Sequence, residues 1–307
     1  MKERIVALSL CVLIIFSALV VPTFAVAPVD PARPSSLTLK YARDGRVFEG
    51  VEVRTYRIAE VFADGTYALT GAFAKYPVKI YDVTSQSEWR AIASTLAAYA
   101  AADGIEPTRI GTTDKNGEVS FENILPGMYL TLSVTVREGN TVTIFESFLT
   151  VVPRPDENGN HNYDVTAVPK SESYTSVEDK EYKVIKLWKD EGASGKRPAN
   201  IIVDILKDGV IVDTKILSSE NSWSYSWTAP DDGSSWYAVE RDVAEGYTVT
   251  AVREGNTFVV TNKATSDDSG DAPQTGEMIN LRLYAVVMCI SGGLLVVLAV
   301  WRKRNDA

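Results

Sequence analysis

The chain has 307 residues, 40 of them acidic and 31 basic, and its formal net charge at pH 7 is −9. An acidic chain of this kind argues against nucleic acid and anionic lipid as partners. The only histidine, His161, leaves no basis for Ser-His or Cys-His catalysis or for a histidine metal cluster, so neither a cofactor nor a metal ion is expected.

The N-terminus has the pattern of a secretory signal peptide. A charged MKER segment precedes an apolar run from Ile5 to Val21, and the small residues of TFAVA follow. Cleavage is expected after Ala25, which gives a signal peptide over residues 1–25. The alternative is an uncleaved membrane anchor. With either, the chain that follows is expected outside the cell.

The two cysteines lie near the ends of the chain. Cys11 falls in the signal segment and Cys289 in a C-terminal apolar stretch, so the exported part has none. Extracellular domains often depend on disulfides for their stability. This one must depend on a large core or on another kind of crosslink.

Residues 36–170 are predicted to form a β-sandwich that carries one helix. Segments such as LTLKY, GVEVRTYRIAEV and MYLTLSVTV alternate or run apolar, and Asp-Gly and Asn-Gly pairs mark turns between them. One Ala-rich segment, near 86–102, has helical spacing instead, with Ser85 or Thr84 as its cap and Gly104 after its end. This helix is expected to lie on the sandwich.

A second β block follows a polar segment. Residues 171–180 are polar and aperiodic, and they are predicted to be a linker. Residues 181–264 contain about seven short strand segments, as an Ig-like sandwich requires. Residues 265–276 are a spacer and a short motif. The fold class is therefore mainly β, with two tandem Ig-like β-sandwiches between a signal peptide and a C-terminal transmembrane helix.

The second block contains the segments KLW, GKRP, LKDG, SWSYSW and TFVVTN, and with them it resembles the Cna protein B-type domain of Gram-positive adhesins and pilins. In that family a lysine on the first strand and an asparagine on the last strand form an isopeptide bond, which a glutamate promotes. The resemblance implies Lys186 as the amine, Asn262 as the carboxamide and Glu240 as the catalytic residue. Trp236 and Ala244 depart from the Tyr and Pro usual near that glutamate.

The proposed chemistry requires these residue types. A lysine amine is nucleophilic only when neutral, and burial lowers its pKa. A neutral carboxylic acid beside it can hydrogen-bond the asparagine carbonyl and pass protons to the departing ammonia. Alternation along the strand puts Trp236, Ala238 and Glu240 on one face, which is expected to be the core. An ordinary ion pair between Glu240 and Lys186 is the alternative.

The first block is expected to be a related sandwich without the crosslink. Its LTLKY segment resembles the first strand of the family, with Lys40 at the position of the reactive lysine. Ser133 then occupies the position of the glutamate, and Ala167 that of the asparagine. Two of the three required groups are missing.

The end of the first block, HNYDVTAVPK, resembles the pilin motif whose lysine receives the threonine of the next subunit. Val165, Pro169 and Lys170 match this motif, and three other positions do not. The resemblance implies Lys170 as the acceptor lysine. The alternative is that Pro169 and Lys170 only end the last strand.

An apolar segment near the C-terminus is predicted to cross a membrane. Residues 283–301 carry no charged side chain, and about 20 such residues are enough for a helix to span the bilayer core. The basic residues in 302–307 are expected on the cytoplasmic side.

Together with a Pro-Gln-Thr-Gly motif before it, this segment resembles the cell-wall sorting signal of Gram-positive surface proteins, in which a sortase cuts between Thr and Gly. The implied motif is Ala272, Pro273, Gln274, Thr275 and Gly276. Ala272 replaces the usual Leu, which leaves the sortase class open. A plain single-pass anchor is the alternative.

These features predict a cell-wall-anchored surface protein, a minor or basal pilin or a short stalk adhesin, with no enzymatic activity beyond its own crosslinking. The expected partners are sortase and either peptidoglycan or other pilin subunits. A host extracellular-matrix ligand is a further candidate. The alternatives are a spacer protein that does not polymerise and, from another class, an extracellular enzyme.

Overall fold

The computed structural model describes residues 27–156, 159–175, 178–190 and 197–265. The signal peptide, the sorting motif from Ala272 to Gly276, the apolar segment and the basic tail all lie outside the described residues. Within the described part, no helix is long and apolar enough to cross a membrane.

The first block consists of fifteen strands, one α-helix and a 3-10 turn at Gly71–Phe73. The strands are β1 (Ser35–Lys40), β2 (Ala42–Arg43), β3 (Arg46–Val47), β4 (Glu52–Val61), β5 (Tyr67–Leu69), β6 (Arg109–Thr112), β7 (Glu118–Ile124), β8 (Gly127–Ser133), β9 (Val136–Glu138), β10 (Thr141–Phe145), β11 (Phe148–Val152), β12 (Arg154–Pro155), β13 (His161–Asn162), β14 (Asp164–Ala167) and β15 (Ser171–Thr175). The helix is α1 (Gln86–Ala102).

Two sheets of this block enclose a core of their own. One has the strand order β14-β1-β7 and the other β11-β8-β4-β5, with β6 also paired to β4. Alternation along β1 turns Leu37 and Leu39 inwards, and Tyr41 just beyond the strand is also fully buried. Aromatic and branched residues pack around them, among them Val53, Tyr129, Phe145 and Val165.

The described part of the second block has seven strands. They are β16 (Asp179–Lys189), β17 (Asn200–Lys207), β18 (Val210–Ser218), β19 (Ser224–Pro230), β20 (Trp236–Glu240), β21 (Tyr247–Glu254) and β22 (Thr257–Ala264), with a 3-10 turn at Ser219–Asn221. One sheet has the order β19-β16-β22-β21 and the other β18-β17-β20. The first strand, β16, and the last strand, β22, are therefore neighbours, and they run parallel.

The segment predicted as a linker is mostly strand. Residues 171–175 form β15, which pairs antiparallel with β10, and β16 begins already at Asp179. The side chains of β15 are exposed or half-buried. An edge strand with solvent on both faces needs no apolar alternation, which is why its sequence is polar and aperiodic.

Helix α1 begins with a capping box. The Ser85 hydroxyl accepts from the Glu88 N–H at 3.2 Å, and the Glu88 carboxylate accepts from the Ser85 N–H at 3.0 Å. Of the two candidate caps, Ser85 is therefore the one used.

The helix packs on both sandwiches, whereas it was expected on the first alone. One side contacts β8 and β11, and the other contacts β20 and β21. Because β20 and β21 are edge strands of their sheets, the helix covers the open side of the second sandwich. The N–H groups of Val249 and Ala251 donate to Pro77 O at 2.9 Å and Thr95 Oγ1 at 2.7 Å. One apolar cluster runs through the helix and both blocks, and the described residues belong to one compact unit.

Candidate crosslinking site

Three strands bring together the three residues singled out in the second block. Lys186 lies on β16 and Asn262 on the neighbouring β22, where the register pairs Asn262 with Trp188, two positions beyond the lysine. Because alternate residues of a strand share a face, both side chains point into the sandwich. Glu240, the last residue of β20, reaches them from the facing sheet.

The carboxylate of Glu240 lies between the two reacting groups. Its Oε2 is 3.0 Å from Lys186 Nζ, and both side chains are fully buried. Its Oε1 accepts a hydrogen bond from Asn262 Nδ2 at 3.0 Å. The glutamate was expected to contact the asparagine carbonyl; its carboxyl oxygen accepts from the amide nitrogen instead.

Burial changes the acidity of the lysine. Loss of solvent lowers the pKa of Lys186 to about 8, although the Glu240 carboxylate acts in the opposite direction. Among the described residues, neither Lys186 Nζ nor Asn262 Oδ1 has a well-aligned hydrogen-bond partner. The amine therefore holds its proton weakly, and the carbonyl of the amide is not tied to another group.

Aromatic rings cover the site. The Trp188 ring lies 4.4 Å from Lys186 Nζ and packs edge-on against Trp223 and Tyr247. The Tyr247 hydroxyl donates to Asp190 at 3.0 Å, and Asp190 also accepts hydrogen bonds from Nε and Nη2 of Arg197. This arrangement separates the amine from water, and the loss of water disfavours the charged form of the lysine relative to the neutral form.

One group that touches the site was not predicted from the sequence. The hydroxyl of Tyr99, on helix α1, donates to the backbone carbonyl of Glu240 at 2.9 Å. The two residues belong to different blocks, and nothing in the local pattern of either segment indicates the contact. Within the described residues, no cluster of three or more His, Cys, Asp or Glu side chains is arranged to hold a metal ion.

The corresponding place in the first block differs from the expectation. Lys40 does not occupy the reactive position: it points outwards, half exposed, and pairs with Glu118 at 2.8 Å. A shift of one residue along a strand exchanges the two faces, and the inward residue here is Tyr41. Its hydroxyl lies 2.6 Å from Ser133 Oγ. All buried charged residues of the described chain lie in the second block.

The candidate acceptor Lys170 is exposed, in the short connection between β14 and β15. Its carbonyl accepts from the Glu146 N–H at 2.9 Å, which fixes the backbone there. Pro169, just before it, is buried. The side chain is therefore presented to solvent by an ordered backbone.

Comparison with known proteins identifies one domain. Residues 182–263 match the family model of the Cna protein B-type domain. A collagen adhesin of Staphylococcus aureus is 26% identical over 204 residues, which are 62% of this chain and 13% of that protein. The chain thus spans only a small part of the length of this curated relative.

Solved structures with similarity to the chain include three surface proteins. A single B repeat unit of the collagen-binding surface protein of S. aureus is 17% identical, with a TM-score of 0.27, covering 76% of this chain and all of that one. The major pilin SpaD from Corynebacterium diphtheriae is 19% identical, with a TM-score of 0.31, covering 76% and 65%. GBS52, a minor pilin of Streptococcus agalactiae, is 17% identical, with a TM-score of 0.23, covering 78% and 99%.

Proposed function

We propose that this protein is a structural, pilin-like surface protein of a Gram-positive bacterium, whose second sandwich is locked by an isopeptide bond between Lys186 and Asn262. One observation carries the crosslink: a buried carboxylate, Glu240, lies 3.0 Å from the amine and 3.0 Å from the amide nitrogen. The match of residues 182–263 to the Cna protein B-type domain supports the same chemistry.

The geometry suggests how the reaction proceeds. Lys186 Nζ passes a proton to Glu240 Oε2, and the neutral amine attacks the Asn262 carbonyl carbon. A new C–N bond forms there as the bond to Nδ2 breaks. The attacking nitrogen gives up a second proton during the attack, and Nδ2 gains two in total by way of the carboxyl group, so that it leaves as an ammonium ion. The glutamate ends in its starting state.

Tryptic peptides of the full chain test the crosslink. Joined side chains block cleavage after Lys186, so the peptide VIKLWK (184–189) should be found linked to EGNTFVVTNK (254–263). The folded chain should also weigh about 17 Da less than the same chain kept unfolded, one ammonia lost. A loss of twice this mass would mean that the first block is crosslinked as well.

Glu240→Gln keeps the size of the side chain and removes its ability to accept a proton. This variant should show its full mass, and the matched change Glu181→Gln, on an exposed position of β16, should leave the crosslink intact. If the unmodified chain releases VIK and EGNTFVVTNK as separate peptides, Lys186 and Glu240 are only an ion pair.

For the whole protein, the proposal is attachment to the cell wall by a sortase that acts at Thr275-Gly276, with peptidoglycan or other subunits as the second substrate. The sorting pattern of the sequence supports it. Exposure of Lys170 favours a subunit that also accepts a neighbour, rather than a spacer that does not polymerise. A matrix ligand such as collagen stays a further candidate partner, and the proposal includes no catalytic activity towards other molecules.

A further inference from the structure

Helix α1 of the first block contacts the backbone of the catalytic residue in the second. The Tyr99 hydroxyl donates to Glu240 O at 2.9 Å, and Tyr99 itself is only 2% exposed. Its ring stacks on that of Tyr76, with centroids 4.1 Å apart, and the Tyr76 hydroxyl donates to Asp103 at 2.7 Å. The orientation of Tyr99 is therefore fixed by its own neighbours.

The residue after the glutamate is held by the same helix end. The guanidinium of Arg241 lies 2.8 Å from Asp103 Oδ1 and 3.2 Å from Asp204 Oδ2. Its N–H donates to Ile202 O at 3.0 Å. The backbone is thus restrained on both sides of the peptide bond that joins Glu240 to Arg241.

This restraint matters because of where Glu240 lies. It is the last residue of β20, an edge strand with a strand neighbour, β17, on one side only. Just beyond it the strand ends, after one more backbone bond to β17, from the Arg241 N–H to Ile202 O. A carboxylate that must contact two reacting groups at hydrogen-bond distance loses rate when it is displaced by as little as about 1 Å.

The helix also braces the sheet that carries the other two groups. Thr95 Oγ1 accepts from the Ala251 N–H, and β21 places Val249 opposite Asn262 on β22. Both edges of the sandwich next to the site are therefore in contact with one element of the first block.

From these contacts we infer that Tyr99 is a positioning residue for isopeptide formation, so that the first block assists a reaction inside the second. The inference rests on the proposed crosslink. Tyr99 touches no reacting atom; it acts by holding the backbone of Glu240 in place.

Tyr99→Phe removes only the hydroxyl. The full chain is kept unfolded in urea and diluted into mild detergent to start folding, and the joined peptides 184–189 and 254–263 are measured over time. Loss of one neutral hydrogen bond to the glutamate backbone should slow crosslinking about three- to tenfold. Tyr129→Phe is the matched control, since the Tyr129 hydroxyl also donates to a backbone carbonyl, Leu125 O at 2.5 Å, from the separate core of the first block.

A second measurement separates positioning from a general loss of stability. In the full chain carrying Lys186→Met, no crosslink can form, and the side-chain NH₂ signal of Asn262 reports its bond to Glu240. Adding Tyr99→Phe should shift or broaden this signal, and adding Tyr129→Phe should leave it unchanged.

Equal rates for the unmodified chain and Tyr99→Phe, or equal slowing by Tyr99→Phe and Tyr129→Phe, would overturn the positioning role and leave the crosslink intact. An unchanged Asn262 signal in the Tyr99→Phe chain would do the same. A chain that never forms the joined peptides would overturn the crosslink itself and the positioning role with it.

Discussion

Among single residues, Glu240 would determine how protons move in the proposed crosslinking reaction. One of its oxygens lies next to the lysine amine and the other accepts from the amide nitrogen that must leave. A proton taken up on the first oxygen can therefore depart from the second. The reaction then needs one proton shared by Lys186 and Glu240, and it stops when that proton is lost to solvent.

The rate of crosslinking should therefore depend on pH in a particular direction. Burial lowers the pKa of Lys186 to about 8, so above this pH the buried pair loses its shared proton. The rate should be level just below pH 8 and fall about tenfold for each further pH unit. The measurement is the rate of peptide joining after dilution from urea into buffers between pH 6 and 10.

The opposite trend has a clear meaning. A rate that rises through pH 8 would show that free neutral lysine attacks without a proton supplied by Glu240. Glu181→Gln, which alters an exposed carboxylate on the same strand as the lysine, should leave the profile unchanged.

At the scale of elements, helix α1 provides polar groups that an edge strand requires. A β-sandwich with open edges exposes unpaired N–H groups, which proteins usually cover or blunt. Here Thr95 of the helix accepts a hydrogen bond from the Ala251 N–H. Pro77, which precedes the helix, accepts one from the Val249 N–H. Several alanines of the helix, such as Ala97, are buried, and their small side chains let its backbone approach the strands.

Thr95→Val tests the contribution of that cap. The two side chains are nearly the same size, but valine leaves the buried N–H of Ala251 without an acceptor. The free energy of unfolding should fall by about 1–3 kcal/mol, measured by urea titration of the full chain. The matched change Thr112→Val, at an exposed position of β6, should alter it by less than about 0.5 kcal/mol. Equal effects of the two substitutions would mean that the cap contributes nothing.

The strands, and the burial of the three candidate residues in one core, were the parts of this structure that local sequence could predict. Period-two alternation and a family resemblance were enough to place Lys186, Glu240 and Asn262 in one core. The same alternation places Lys40 on the outer face of β1, where the structure has it. The family resemblance instead matched Lys40 to the reactive lysine, which would face inwards, and that match was wrong. The direction of a side chain is therefore predicted better by the alternation along its strand than by its residue type.

Two features could not be predicted from local patterns. The polar sequence of β15 is equally suited to an edge strand and a linker, because both leave side chains in water. The contact of Tyr99 with Glu240 joins residues far apart in the sequence. A buried alanine-rich helix face shows that the helix is covered, but not by which partner.

For the whole protein, the proposed anchoring depends on the C-terminal motif. Thr275→Ala should leave the protein in the membrane fraction and remove it from the wall fraction, because a sortase needs that carbonyl to form its bond to the wall. Ser269→Ala, in the spacer before the motif, is the matched control and should behave as the unmodified protein does. Fractionation and immunoblotting of the bacteria measure both, and wall attachment of the Thr275 variant would refute the sorting signal.

The proposed polymerisation depends on an exposed amine. If Lys170 accepts the next subunit, boiled wall extracts should show a ladder of high-mass species, and Lys170→Arg should reduce it to one band. Lys115→Arg, in an exposed turn, should keep the ladder. A single band from the unmodified protein would favour the spacer, and a ladder that survives in the Lys170 variant would assign the acceptor to another lysine.

The parallel pairing of the first and last strands of the second sandwich also determines how the protein responds to tension. Force applied along the chain enters through β16 and leaves through β22, which shears the ladder between them. Once Lys186 and Asn262 are joined, that force passes directly from one side chain to the other. The roughly 75 residues between them, about 250 Å of chain at full extension, then carry no load. Under tension, the second sandwich would then keep a nearly constant length.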